Sequence, residues 1–363
     1  MARLSAVVLA GLGLQLLLPH LGERTGLVVA CAPIAVAGAV AARGFLRQRR
    51  EHTHRQRVGL SLGVGSGGLL AAAYVLYTID ALVGTGTVAA DTLASLSALL
   101  GVPAIVLIGP GFPHRLTRAS HALDVTMIAG AIFAMVWQLV LADAAAALTP
   151  GRQVLMVFTL IPAMIAAALA LMMLTRTVMG THHCLHLLAG SLGVFSLSAI
   201  GGAHANAFHL PWYADGAGAA YLIAALLLTL ASRATLAPAA TAEWRAITGL
   251  WSAVPFVPVV LALVLFTVQY ARTGTLDPVL MWVLLGASGL AMLRQFFTLM
   301  IVKRLVASLE DQRRRLDHRP TTTSSPACLT GPPSTPTPAK PSRPPTGTAT
   351  RRSCCWTSTA SNR

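Results

Sequence analysis

Among the ionisable side chains inside the long apolar stretches of this chain, Asp80, Asp124 and Arg294 stand out. A charge within a bilayer costs roughly 2.5–3.5 kcal/mol on insertion scales, so each needs a partner or a task. Asp80, in Tyr77-Thr78-Ile79-Asp80, lies near the outer end of its stretch, and Asp124 near the inner end of another. Each is within about a turn or two of an interface, where a wetted helix end or a neighbouring arginine would satisfy it. Proton or cation relay is the sharper alternative. Arg294, beside Gln295 in the inner half of the last stretch, can snorkel toward the headgroups. His182 and His186 stand four apart, which on a helix lets both face one metal. With His183 and Cys184 between them, no metalloprotease-type signature is completed, so a solvated helix start is expected and no metal or cofactor is assigned. The most polar and aromatic outer segment holds His204, Asn206, His209, Trp212, Tyr213 and Asp215. An interfacial aromatic belt is the plainer reading, and a sensing site, if the chain has one outside, is sought there first. No catalytic triad or nucleotide-binding loop accompanies these groups, and no catalytic residue is assigned.

The elements that must position these residues follow from composition. Of 363 residues, 55% are hydrophobic and 11% charged, and the mean hydropathy is +0.67. Soluble domains carry about 25% charge, so a polytopic, all-α membrane bundle is expected. A span needs about 20 mostly apolar residues. About ten stretches qualify, near 4–20, 25–46, 58–82, 92–111, 122–143, 153–174, 185–207, 215–235, 249–271 and 278–302. The first is bounded by Pro19-His20 and lacks cleavage-site chemistry, which favours an anchor over a signal peptide. Abundant Gly and Ala suit close helix packing, and Gly63 to Gly68 are assigned to it.

The net charge of +15 is placed between spans and in the tail, which points to topology signals and anionic lipid rather than nucleic acid. Arg47, Arg49, Arg50, Arg55 and Arg57 crowd the second connection. Arg115 and Arg118 follow the fourth span, and Arg233 and Arg245 the eighth, whereas residues 83–91 and 209–215 contain no Lys or Arg. The positive-inside rule then puts both termini in the cytoplasm. Five cysteines form neither a disulfide framework nor a metal knuckle. Beyond the last span, Val302, Leu305, Leu309, Gln312 and Leu316 alternate three and four apart, with Lys303, Arg304, Glu310, Arg313 and Arg314 outside that seam. This is an a/d pattern of about two heptads, a short coiled-coil stalk able to pair two subunits; a basic juxtamembrane flank is the alternative.

Residues 319–363 have a different character: Thr, Ser and Pro in clusters, one Trp, and no Val, Ile, Met or Phe. Read one base earlier, Cys354-Cys355-Trp356-Thr357 must encode Leu-Leu-Asp, because Cys has only TGC and TGT and Trp only TGG. With GC-rich codons, Ser353 to Asn362 becomes Val-Val-Leu-Leu-Asp-Leu-Asp-Gly-Phe-Lys. The same shift over Thr321 to Gly331 permits His-His-Asp-Leu-Leu-Thr-Gly-Leu-Pro-Asn-Arg. Both strings, at this separation, resemble the opening of a diguanylate cyclase of the GGDEF family. Its members begin Asp-x-Leu-Thr-Gly-Leu-x-Asn-Arg and continue to a strand ending Leu-Asp-Leu-Asp-x-Phe-Lys. Loss of one base, for instance from a CAG codon, would turn a Gln into Arg319 and produce the written frame. The composition alone would support a low-complexity tail.

The resemblance implies a parent that condenses two GTP into cyclic di-GMP with Mg2+ or Mn2+, the first Asp of the strand helping to hold the metal. As written, Thr357 and Thr359 stand where the carboxylates would be, and a hydroxyl is a poor ligand for a hard cation. The expectation is therefore a truncated input region, itself no enzyme and without a cofactor. It comprises a membrane domain at 1–302, a signalling stalk at 303–318 and a disordered, out-of-frame tail at 319–363. Some relatives carry a phosphodiesterase (EAL) domain after the cyclase. The expected setting is the bacterial cytoplasmic membrane, with the lipid bilayer and a stalk-mediated homodimer as partners and the ligand unassigned. The rival readings are a transporter or permease, which predicts repeats and interrupted spans, and the membrane half of a sensor histidine kinase.

Overall fold

The computed structural model describes residues 2–84, 86–109, 115–146, 148–176, 183–208, 210–213, 216–236, 256–274 and 278–317. Among them, helices are the only regular secondary structure. The chain divides into two units, Met1–Ser308 and Leu309–Arg363; of the second, the described part is helix up to Asp317.

The helices are α1 (Ala2–Leu17), α2 (Glu23–Gln48), α3 (His54–Val83), α4 (Val88–Ile108), α5 (Arg115–Val136), α6 (Ala142–Ala146), α7 (Pro150–Arg176), α8 (His183–Ala207), α9 (Ala217–Ala231), α10 (Val257–Thr273) and α11 (Pro278–Asp317). A single π turn, Trp137–Leu141, joins α5 to α6. Glu23 in the first turn of α2 and Arg47 in its last turn complement the helix dipole. α3 stops at Gly84, whose φ of 75° is open to glycine without a Cβ penalty. Its N–H donates to Asp80 O at 2.7 Å.

Among the described residues, seven helical segments are long and apolar enough to cross a membrane: Glu23–Gln48, His54–Val83, Val88–Ile108, Arg118–Leu141, Met156–Leu174, His183–Ala207 and Leu280–Arg314. Three of the expected spans correspond to shorter apolar helices, Leu4–His20, Ala217–Ala231 and Val257–Arg272. The physical reason is clearest for α9. The chain enters it through Gly216 at φ 89° and leaves at Ser232, so the polar ends counted into residues 215–235 lie outside the helix. Its 15 residues rise roughly 22 Å at 1.5 Å each, less than the roughly 30 Å of a hydrocarbon core. For α10, residues 249–255 of the expected span lie outside the described residues.

Many large apolar side chains face outward: Met292 (75%), Leu16 (74%), Val83 (72%) and Leu197 (70%) are exposed, while Ala30, Ala41 and Ala73 are fully buried beside larger core residues such as Ile34, Phe45 and Leu60. Exposed apolar surface, with small residues where helices approach closely, is what a lipid solvent favours. α2 and α3 approach closely at glycine. A Cβ on Gly38 would sit 3.0 Å from Gly67 O, and one on Gly67 3.0 Å from Gly38 O. Hydroxyls fasten neighbouring backbones. Ser66 Oγ donates to Ser97 O at 2.9 Å and Ser97 Oγ to Ser66 O at 2.8 Å. Ser191 donates to Ala224 O at 2.7 Å, Ser196 to Ala163 O at 2.6 Å and Thr229 to Ala37 O at 2.9 Å. α10 and α11 pack against α5 through Val259, Ala262, Leu280 and Leu284 on Met127, Ala131 and Ala134.

Candidate functional site

Four of the five tyrosines of the chain gather with Trp212 at the α3–α4 turn end of the bundle, which is also the α8–α9 end. Tyr74 and Tyr77 come from one face of α3, three residues apart, and Tyr221 from the start of α9. Tyr74 stands 5.5 Å from Tyr77, 6.5 Å from Trp212 and 5.9 Å from Tyr221, ring centre to ring centre. Trp212 closes the group at 6.1 Å from Tyr77 and 5.7 Å from Tyr221, and Phe195 of α8 adds a ring 5.5 Å from Tyr221. Most of these pairs are edge-to-face or tilted, the arrangement that ring quadrupoles favour.

The rings border a cavity of about 370 Å³. Small residues, Ala94, Ala98, Ala199 and Gly202, line part of it, with Leu148 and Met156 adding larger apolar surface. Asp91, in the first turn of α4, is the one charged group among the described residues that line it. Its Oδ1 accepts a hydrogen bond from the Tyr77 hydroxyl, which orients the carboxylate. A carboxylate in the first turn also faces the positive end of the α4 dipole.

Trp212 is the member of the expected sensing set that lines this cavity, together with Asn206. Tyr213 is buried beside it and serves the frame instead, its hydroxyl donating to Glu23 O at 3.0 Å. Burial pushes the Tyr213 phenol up, with a smaller push from the Glu23 carboxylate, so the group keeps its proton and donates. His204 faces the π turn: its Nδ1 lies 3.4 Å from Val140 O and its ring 4.8 Å from that of Phe208. His209 and Asp215 lie outside the described residues, as does His182. Among the described residues no three His, Cys, Asp or Glu are placed to hold a metal ion.

The intramembrane charges divide into two kinds. Asp80 fastens the turn after α3 by accepting from the Gly86 N–H. Asp124, fully buried on α5, and Arg294 on α11, 13% exposed, form an ion pair with Nε 2.5 Å from Oδ1. The Arg294 guanidinium also lies 4.6 Å from the centre of the Phe256 ring, a cation–π contact. Arg294 therefore turns to a carboxylate and a ring rather than reaching for the headgroups, because both lie within its span. Of the stalk seam, Val302 and Leu309 are exposed, and the side chains of Leu305 and Leu316 lie outside the described residues.

The sequence reading missed Asp91, Tyr74 and Tyr221 as one site. A usable signal existed: tyrosine is scarce in this chain, and two of its copies sit three apart on α3 with a carboxylate opening the next helix. Comparison of the chain with protein-family models, with curated proteins and with solved structures finds no match.

Proposed function

We propose that this chain is the membrane input region of a cyclic di-GMP signalling protein. The observation that carries this reading is the pair of alternate-frame strings, over Thr321 to Gly331 and Ser353 to Asn362, that resemble the opening of a GGDEF diguanylate cyclase. The written product is not itself an enzyme, since Thr357 and Thr359 replace the carboxylates implied for metal binding. In this reading the chain crosses the cytoplasmic membrane about ten times, the three shorter helices included, with both termini inside. The stalk through Val302, Leu305, Leu309 and Leu316 pairs two subunits, as a reaction that joins two GTP requires.

The arrangement of α11 supports the reading. It is a single helix of 40 residues whose apolar part carries Arg294, tied to Asp124 of α5, and whose charged part ends next to the shifted segment. A helix with that course suits transmission by rotation or sliding.

The test is to sequence independently amplified genomic DNA from the codons around Asp317 to beyond Arg363, then express the frame-restored gene and measure cyclic di-GMP. One missing base and a rise in cyclic di-GMP are expected. A restored protein without cyclase activity would overturn the reading; an unchanged frame leaves a severed input region, without catalysis unless ribosomal slippage restores the frame. A transporter is the second reading, favoured by the cavity and by Pro33, Pro103 and Pro162 inside helices; solute flux in proteoliposomes tests it.

A further inference from the structure

The cavity between α3, α4, α8 and α9 has a chemistry that narrows what it can hold. It is a cleft of about 370 Å³, partly open to the surface. It falls in the range of roughly 300–1,000 Å³ typical of small-molecule sites. Its lining combines Tyr74, Tyr77, Trp212, Tyr221 and Phe195 with the Asp91 carboxylate, and no Lys, Arg or His is among the described lining residues.

Each class of ligand meets a different fate there. An anion would face Asp91 and find no basic group. A hard divalent cation demands six or more oxygen ligands, and the walls offer one carboxylate among hydroxyls, an amide and apolar surface. A neutral apolar ligand would fill the space but strip water from Asp91 without compensating its charge, which is costly. An alkylammonium ion meets none of these objections. Its charge is spread over methyl or methylene groups, so it loses little hydration. The negative faces of aromatic rings attract it, and Asp91, held by Tyr77, supplies the counter-charge. The geometry points to a binding site for a small organic ammonium ion, with Asp91 as the counter-ion and the Trp212–tyrosine cluster as the cage. The inference rests on reading this end of the bundle as the input site of a signalling protein, and it specifies the input. A free quaternary amine and the choline headgroup of a lipid share this chemistry.

The test uses the full chain in nanodiscs of phosphatidylglycerol, which carries no ammonium group. Choline is titrated calorimetrically beside its uncharged isostere, the alcohol in which carbon replaces the choline nitrogen. Saturable choline binding at least about tenfold tighter than the isostere is expected, as cation–π and ionic recognition require. Asp91→Asn should remove most of that preference, with helicity and melting temperature as controls; the isostere comparison on the unaltered chain stands even if the variant misfolds. Adding phosphatidylcholine to the nanodisc separates the sources: competition with choline assigns the headgroup, and unchanged binding assigns the free amine. Equal affinity for choline and the isostere, or no binding of choline, overturns the inference while leaving the signalling reading intact. A frame-restored protein without cyclase activity that still binds choline does the reverse.

Discussion

Arg294 and Asp124 illustrate how a single buried pair is both a support and a liability. Removing one partner strands the other charge, whereas replacing both with apolar groups is close to neutral. Asp124→Ala should therefore cost about 3–5 kcal/mol, and adding Arg294→Met should recover most of it. Unfolding of the three proteins in detergent checks this; equal losses in single and double variants would show that the pair is not the source. At Tyr213 the raised phenol gives a pH signature. Its folded value lies above the unfolded value near about 10, so its stabilisation is complete below that pH and is lost as pH rises through the higher value. Tyr213→Phe should lack this alkaline component and lose about 0.5–1.5 kcal/mol at neutral pH with the bond to Glu23. Pairwise comparison of unfolding from neutral to alkaline pH reads both effects. At this scale the sequence shows that Asp124 and Arg294 are out of place in an apolar stretch. It cannot show that they meet, because they are separated by 170 positions and no local period links them. Trp212 was legible as a polar-aromatic landmark, but the orientation of His204 toward Val140 depends on how α8 packs on the π turn after α5.

Helices in this bundle are joined by backbone approach and hydroxyl clasps, so their interfaces should respond to volume rather than to polarity. Gly67 and Gly68 are adjacent in sequence but not in consequence. A side chain at Gly67 meets the α2 backbone, while one at Gly68 meets nothing within 4 Å. Gly67→Leu is expected to cost about 1–3 kcal/mol through overpacking, and Gly68→Leu close to nothing, in thermal unfolding of the detergent-solubilised protein. A Ser66→Ala and Ser97→Ala double-mutant cycle should return a coupling near 0.6 kcal/mol, with about 1.7 as its upper bound. Helix existence was largely readable here, because about 20 apolar residues leave few other structures open in lipid. Helix ends were less so. The span expected at 215–235 shrank because hydropathy averages over Asp215, Gly216 and Ser232, whereas the actual start is set by backbone geometry at Gly216.

For the molecule as a whole, the proposed orientation, drawn from the charged connections, is one that reporter fusions can read. A reporter active only outside the cytoplasm should be silent after Arg50 and active after Gly86; the opposite pattern would reverse the proposed topology and put the aromatic cavity inside. The proposed origin of the tail rests on codon logic alone, while the cavity was not legible in the sequence, since it needs several helices to be assembled. Assembly also has an order in time. The ribosome makes Asp124 170 residues before Arg294, and at roughly 5–20 residues per second that interval is on the order of ten seconds to half a minute. Throughout it, the segment carrying Asp124 precedes the arginine it is to meet, so the tie between α5 and α11 is among the last the chain can make.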